Sequence, residues 1–203
     1  DEGGAVVMQI AHTGCNSFVI PPGEKALGPS PMTMPQGCEC REMTKEEISQ
    51  TVEDFVEAAV RVKTAGFDGV QLHAAHGYLL SSFLSPRTNK RDDQYGGSTE
   101  NRARIIAEIY EQARKKVSEN FPIIIKFNTM DLLSDGIEIV EATKVGKILS
   151  KIGFDAIETS GGMWEAVTQG QEQMGWTPVI IPESRTEIRS KDQEAYFLPG
   201  AKA

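Results

Sequence analysis

Phe67-Asp-Gly-Val-Gln-Leu-His-Ala-Ala-His-Gly-Tyr78 is the stretch that decides the fold. Its first half, residues 67–72, is a short apolar run that reads as a buried strand. Its second half, His73-Ala-Ala-His76-Gly-Tyr78, brings two imidazoles and a phenol to the point where that strand ends and a loop begins. In a parallel α/β protein this is the mouth of the sheet, the end at which ligands bind. Two of the three histidines are spent there, and the third, His12, closes another strand-like run.

Working outward, four apolar runs share this character: residues 5–11, 68–73, Ile123–Asn128 and 155–159. Each is short, rich in Val and Ile, and without clean polar alternation, the pattern of strands buried on both faces. Helical patterns lie between them. Thr44-Lys-Glu-Glu47 is a capping box, opening a helix with Ile48, Val52, Phe55, Val56, Ala59 and Val62 on one face. It is expected to run to residue 64, with Gly66 suited to its C-terminal cap. A second helix is expected to start near Ser98 and to bury Ile105, Ile106, Ile109, Tyr110, Ala113 and Val117. A third is expected over 138–151, stopped by Gly153. A fourth, over 191–198, would be capped by Ser190 and ended or kinked by Pro199.

Strands alternating with helices mean right-handed βαβ units and a parallel sheet. Three long loops, 12–43, 74–97 and 160–189, all follow strands and therefore line one face. Loops of this length are usually functional. The arrangement favours an α/β fold of the TIM (β/α)8 type, with a doubly wound sheet as the alternative. Four strands cannot close eight, so the expectation is a single, incomplete barrel domain over residues 1–203 with an exposed strand edge at each side.

Composition bounds the function. The 203 residues are 39% hydrophobic and carry a net charge of −8, which argues against a nucleic-acid partner, since phosphate binding needs clustered Lys and Arg. No apolar run reaches the roughly 18–20 residues of a membrane span. The chain starts at Asp1 with neither a Met nor a leader pattern, as if cut from a longer one. The three cysteines, Cys15, Cys38 and Cys40, match no zinc or iron–sulfur spacing. They read as free thiols in a reducing compartment, hence a cytoplasmic protein, with a Cys38–Cys40 disulfide disfavoured. A homo-oligomer is compatible with these features.

His73 and His76, three apart, admit three readings: satisfied structural histidines, two ligands of a metal, or two hydrogen-bond donors converging on a carbonyl oxygen. No third metal ligand of suitable spacing is evident. Tyr78 is placed to deliver a proton. Residues 85–102 contain neither a P-loop nor a dinucleotide fingerprint. They read mostly as a loop held by its own Asp, Asn and Arg hydrogen bonds, leading to a cap at Ser98.

The run from Gly66 to Arg102 resembles the signature region of the old yellow enzyme family, the FMN-dependent NAD(P)H:flavin oxidoreductases and ene-reductases. The resemblance is carried by His73-Ala-Ala-His-Gly-Tyr-Leu79 and then by Phe83-Leu-Ser-Pro-Arg-Thr-Asn-Lys-Arg-Asp-Asp-Gln-Tyr-Gly-Gly-Ser-Thr-Glu-Asn-Arg102. Met8–Gly14 is similar to that family's third barrel strand, Ile123–Asn128 to its fifth, Glu158-Thr-Ser-Gly-Gly162 to its sixth, and Glu194-Ala-Tyr-Phe to the start of its sixth helix. The resemblance implies a central portion of the barrel, roughly strands three to six. It implies FMN as cofactor, NADH or NADPH as reductant, and an α,β-unsaturated carbonyl compound as substrate. It casts His73 and His76 as donors to the substrate's carbonyl oxygen and Tyr78 as the proton source. It casts Gln9 and Lys126 as contacts to the flavin's pyrimidine edge. Cys15 departs from the family, many members having Arg there. With the neighbouring strands of the flavin site outside the 203 residues, little FMN affinity is expected of the chain alone. Two other readings stay open: a metal-dependent (β/α)8 hydrolase or lyase using His73 and His76, and a non-catalytic truncated domain.

Overall fold

The computed structural model describes residues 3–17, 19–34, 37–164 and 198–203. The loop expected over 160–189 lies outside the described residues beyond 164, as do Ser190 and residues 191–197 of the expected fourth helix.

Four parallel strands form the main sheet: β1 (Val7–Ile10), β5 (Gly69–Ala74), β6 (Ile123–Asn128) and β7 (Ala156–Ser160), in the order β1-β5-β6-β7. Three helices cover one face: α1 (Lys45–Thr64), α4 (Arg104–Val117) and α5 (Ile139–Ile152). The capping box of α1 forms as expected, Glu47 N–H donating to Thr44 Oγ1 at 3.2 Å and Thr44 N–H to Glu47 Oε2 at 2.8 Å. Helices and sheet meet in one core, where Ile48, Val52, Val56 and Ile109 pack against Val70, Leu72, Ile123 and Ile125. Each of these aliphatic side chains is worth roughly 1.5–3 kcal/mol when fully removed from water.

The strands differ from expectation on their other face. Successive strand residues point to opposite sides. Behind the core-facing Val70, Leu72, Ile125 and Phe127 stand Gln71, His73, Lys126 and Asn128. Polar residues thus occupy alternate positions toward the carboxyl ends. β5 is buried throughout, whereas the edge strand β1 exposes Val7, Met8 and Gln9.

The segment 12–43 is not a structureless loop. A 3-10 turn, Gly14–Asn16, leads to β2 (Ala26–Gly28), β3 (Met32–Thr33) and β4 (Glu39–Glu42), a small sheet in which β4 pairs parallel to β2 and antiparallel to β3. A disulfide joins Cys15 to Cys40, and only Cys38 is a free thiol. This corrects the reading of three free cysteines. The turn at Gly14 carries Cys15 back over the small sheet, 25 residues from its partner in sequence but 5.3 Å away between Cα atoms. With a disulfide present, the cysteines no longer argue for a reducing compartment.

The segment 74–97 also contains an element, α2 (Leu79–Leu84), buried at every position. The helix expected from Ser98 is two helices, α3 (Thr99–Arg102) and α4, hinged at Ala103, with the Ser98 cap in place. The intervening loop is held as its composition suggested. Asn89 Nδ2 donates to Phe83 O at 2.7 Å and Tyr95 O at 2.8 Å. Arg91 reaches Met43 O at 2.7 Å and pairs with Asp93 at 2.7 Å. Arg102 clamps Leu84 O, Gly97 O and Glu141. Glycine is required at residue 96, where a Cβ would lie 2.1 Å from Arg91 O. Pro199 lies inside a short helix, α6 (Leu198–Lys202), rather than ending one.

Candidate active site

β5 delivers His73 to the mouth of the sheet, and the chain then turns sharply through residues 75–78 into α2. The rings of His73 and His76 lie 5.1 Å apart, as do those of His73 and Tyr78, both edge to face. His76 has φ 64°, in the left-handed region, which costs a non-glycine residue of order 1–2 kcal/mol. Neighbouring elements hold it there: its N–H donates to Asn128 Oδ1 at 3.2 Å and its carbonyl accepts from Trp164 N at 3.3 Å. The ring Nε2 is 2.7 Å from Ser160 Oγ on β7. Tyr78 Oη accepts a hydrogen bond from Trp164 Nε1 at 3.1 Å. Gly77 between them has φ 78° and packs beside Asn16 and Met163. Asn16 Nδ2 donates to its carbonyl at 2.7 Å.

Beneath this cluster a polar row crosses the sheet. Lys126 Nζ pairs with Glu158 Oε1 at 2.9 Å, Gln71 Nε2 donates to Glu158 Oε2 at 2.8 Å, and Gln9 Nε2 donates to Gln71 Oε1 at 2.6 Å. The amide orientations follow from chemistry, because an ionised carboxylate only accepts. Glu158 must meet the NH2 of Gln71, so the oxygen of Gln71 faces Gln9 and accepts a hydrogen bond from it. A second anchor lies behind His76. Asp131, fully buried, accepts from Ser85 Oγ and Ile137 N, each at 2.7 Å, and from Asn128 Nδ2 at 3.0 Å. By the same logic the oxygen of Asn128 is turned toward His76.

Burial, helped by the positive charge of Lys126 and opposed by Glu158, lowers the pKa of His73 to about 4. Its imidazole is therefore neutral at physiological pH. Its Nδ1 is buried without a hydrogen-bond partner. A proton there would be an orphaned buried donor, so the proton sits on Nε2. Burial also works to raise Glu158, but the bonds from Lys126 and Gln71 outweigh it and hold the carboxyl below its ordinary range. Asp131 goes the other way, burial raising it against the hydrogen bonds it accepts.

The structure thus brings His73, His76 and Tyr78 together, and links Gln9 to Lys126 through Gln71 and Glu158. Sequence reasoning missed Gln71, Asn128, Asp131, Glu158, Ser160 and Trp164. The signal for four of them was period two: Gln71-x-His73, Lys126-x-Asn128 and Glu158-x-Ser160 each place polar residues on one face. Asp131 and Trp164 carried none. Among the described residues, no three His, Cys, Asp or Glu side chains are grouped to hold a metal ion, so the histidine pair has no third ligand there. Nor is any described helix long and apolar enough to cross a membrane.

The sequence profile of the NADH:flavin oxidoreductase / NADH oxidase family matches residues 1–191. The chain belongs to this family. Among its NADH:flavin oxidoreductase relatives, an NADH oxidase of Thermoanaerobacter brockii is 37% identical over 192 residues, covering 92% of this chain and 30% of that protein. An NADPH dehydrogenase of Geobacillus thermodenitrificans is 37% identical over 163 residues, covering 80% of this chain and 46% of its own length. The chain therefore spans less than half the length of either relative, 30% and 46%. Among solved structures, 2-naphthoyl-CoA reductase with 2-naphthoyl-CoA matches with a TM-score of 0.74 and 34% identity, over 79% of this chain and 27% of that one. Morphinone reductase in complex with tetrahydroNAD matches at 0.69 and 29%, over 85% and 53%. With this family's barrels as neighbours, the βαβ units described above are part of a (β/α)8 barrel.

Proposed function

We propose that these residues form the substrate-facing part of an FMN-dependent NAD(P)H oxidoreductase that reduces the C=C bond of α,β-unsaturated carbonyl compounds. The observation that carries the reading is the convergence of the His76 and Tyr78 rings on that of His73, each 5.1 Å from it, above a polar row that includes Lys126. The row suits FMN. Gln9 is exposed, and with one N–H committed to Gln71 it still offers a carbonyl oxygen and a second N–H, the donor–acceptor pair that matches a pyrimidine edge. Lys126 adds a positive charge beside it. When bound, FMN reduced by NADH or NADPH supplies a hydride for the β-carbon of the alkene.

The chain's own residues do the rest. His73, neutral, donates one hydrogen bond to the substrate's carbonyl oxygen and polarises the conjugated alkene without being a competing acid. His76 is the second donor, its ring oriented by Ser160. Negative charge developing toward the carbonyl oxygen is met by dipoles already in place, which need no rearrangement as the reaction proceeds. Tyr78 gives its phenolic proton to the α-carbon.

Enone reduction by the purified, flavin-loaded protein tests this. His76→Ala is expected to lower turnover by roughly 10²–10³, the loss typical of one oxyanion donor. Enone reduction left intact in that variant, or purified full-length protein without a flavin absorption band, would overturn the proposal.

A further inference from the structure

We infer that Trp164 is a positioning residue for proton delivery, fixing the direction in which Tyr78 points its hydroxyl proton. The inference rests on the reading of Tyr78 as proton donor.

Trp164 touches the turn after β5 at two points, across more than eighty residues of sequence. Its backbone N–H donates to His76 O at 3.3 Å and its indole Nε1 lies 3.1 Å from Tyr78 Oη. Its neighbour Met163 is buried and packs beside Gly77, so the segment following β7 is seated on the turn. An indole N–H only donates, so the phenol oxygen must be the acceptor. That oxygen carries one proton and two lone pairs. With one lone pair held by Trp164, the O–H bond is turned away from the indole. The direction of the proton is therefore set by a residue four positions past the end of β7.

The same bond acts on the chemistry. As the proton leaves Tyr78, negative charge grows on its oxygen, and an N–H already aimed there stabilises that charge more than it stabilised the neutral phenol. An interaction that strengthens along the reaction raises turnover and leaves substrate affinity nearly untouched. A tryptophan that merely walled the site would behave otherwise: its removal would alter affinity, and any replacement of similar bulk would serve.

Three variants decide between these. The chain has two tryptophans, Trp164 and Trp176, so two indole N–H resonances report directly. In Tyr78→Phe one of them is expected to move upfield, and both staying in place would overturn the inference without needing flavin or turnover. In the flavin-loaded enzyme, Trp164→Phe is expected to lower kcat about tenfold, the worth of one directed hydrogen bond, with KM changed less than about twofold. Trp164→His restores a ring N–H donor and is expected to recover much of the loss. Equal rates for the Phe and His variants, or a change confined to KM, would overturn it. Unchanged kcat in Tyr78→Phe would instead remove Tyr78 as the proton donor, and this inference with it. A slow Tyr78→Phe beside a fully active Trp164→Phe would defeat the inference alone.

Discussion

Asp131 invites a test that separates its charge from its capacity to accept hydrogen bonds. It is fully buried and holds Ser85 Oγ, Ile137 N–H and Asn128 Nδ2. Asp131→Ala removes every acceptor. Ile137 N–H and the Ser85 hydroxyl are then orphaned in the interior at about 1–3 kcal/mol each, so the variant should lose roughly 4 kcal/mol. Asn128 keeps its bond to Gly162 O at 3.2 Å and suffers less. Asp131→Asn is isosteric and keeps an oxygen for Ser85 and Ile137, sacrificing only the bond to Asn128. It also removes a carboxylate that burial disfavours, and should cost about 1 kcal/mol or less. The pH dependence has a definite sign. Burial raises the folded-state pKa of Asp131, so the folded state binds the proton more tightly than the unfolded one. Its contribution is greatest at acid pH, below the unfolded value, and declines as pH rises toward the folded value. The asparagine variant lacks this decline and should gain on the wild type as pH rises from acid to neutral. Urea unfolding of the three proteins across that range measures both effects. An asparagine variant as unstable as the alanine one, or a deficit that widens with rising pH, would show that the three donors require a negative charge and that the reasoning is wrong.

Other expectations are equally direct. The ring resonances of His73 should titrate near pH 4, and the neutral burial of this residue should weaken the fold as pH falls from about 6.5 toward 4, where the unfolded chain binds the proton first; His73→Gln should remove that component. A thiol-alkylating reagent should label Cys38 alone before reduction and all three cysteines after it, with roughly 3 kcal/mol of stability lost on opening the Cys15–Cys40 link across 25 residues, read from the denaturation midpoint. Gly77→Ala should cost roughly 1–2 kcal/mol, chiefly from forcing an alanine to φ 78°, with turnover falling as His76 and Tyr78 shift.

How much was legible in the sequence depended on whether the information was local. The Thr44–Glu47 box, the apolar face of α1 and the stop at Gly153 all depend on residues within a turn or two, and each formed where read. β2, β3 and β4 were not legible because two to four residues carry no period, and the cysteine that bridges to β4 lies 25 residues away in sequence. α2 was missed because Leu79–Leu84 is buried on every side and so shows no amphipathic alternation. His73, His76 and Tyr78 could be picked out because they sit in one hexapeptide. Gln71 and Glu158 lie 87 residues apart and meet only once β5, β6 and β7 are in register. Asp131 and Trp164 lie a few residues past the ends of β6 and β7, where nothing but tertiary contact gives them meaning.

The polar row under the histidines has a grammar as well as a geometry. Each link runs one way, from donor to acceptor, and the sense of the whole sentence is set by its last word, the carboxylate of Glu158. The group that Gln9 presents on the far edge strand is thus spelled out on β7. A change at residue 158 to a side chain that donates would reverse each amide in turn and exchange what Gln9 offers a ligand, with no atom of residue 9 altered. If Gln9 contacts the flavin as proposed, selectivity at one edge of this sheet is rewritten by a substitution at the other, a route that a survey confined to contacting residues would overlook.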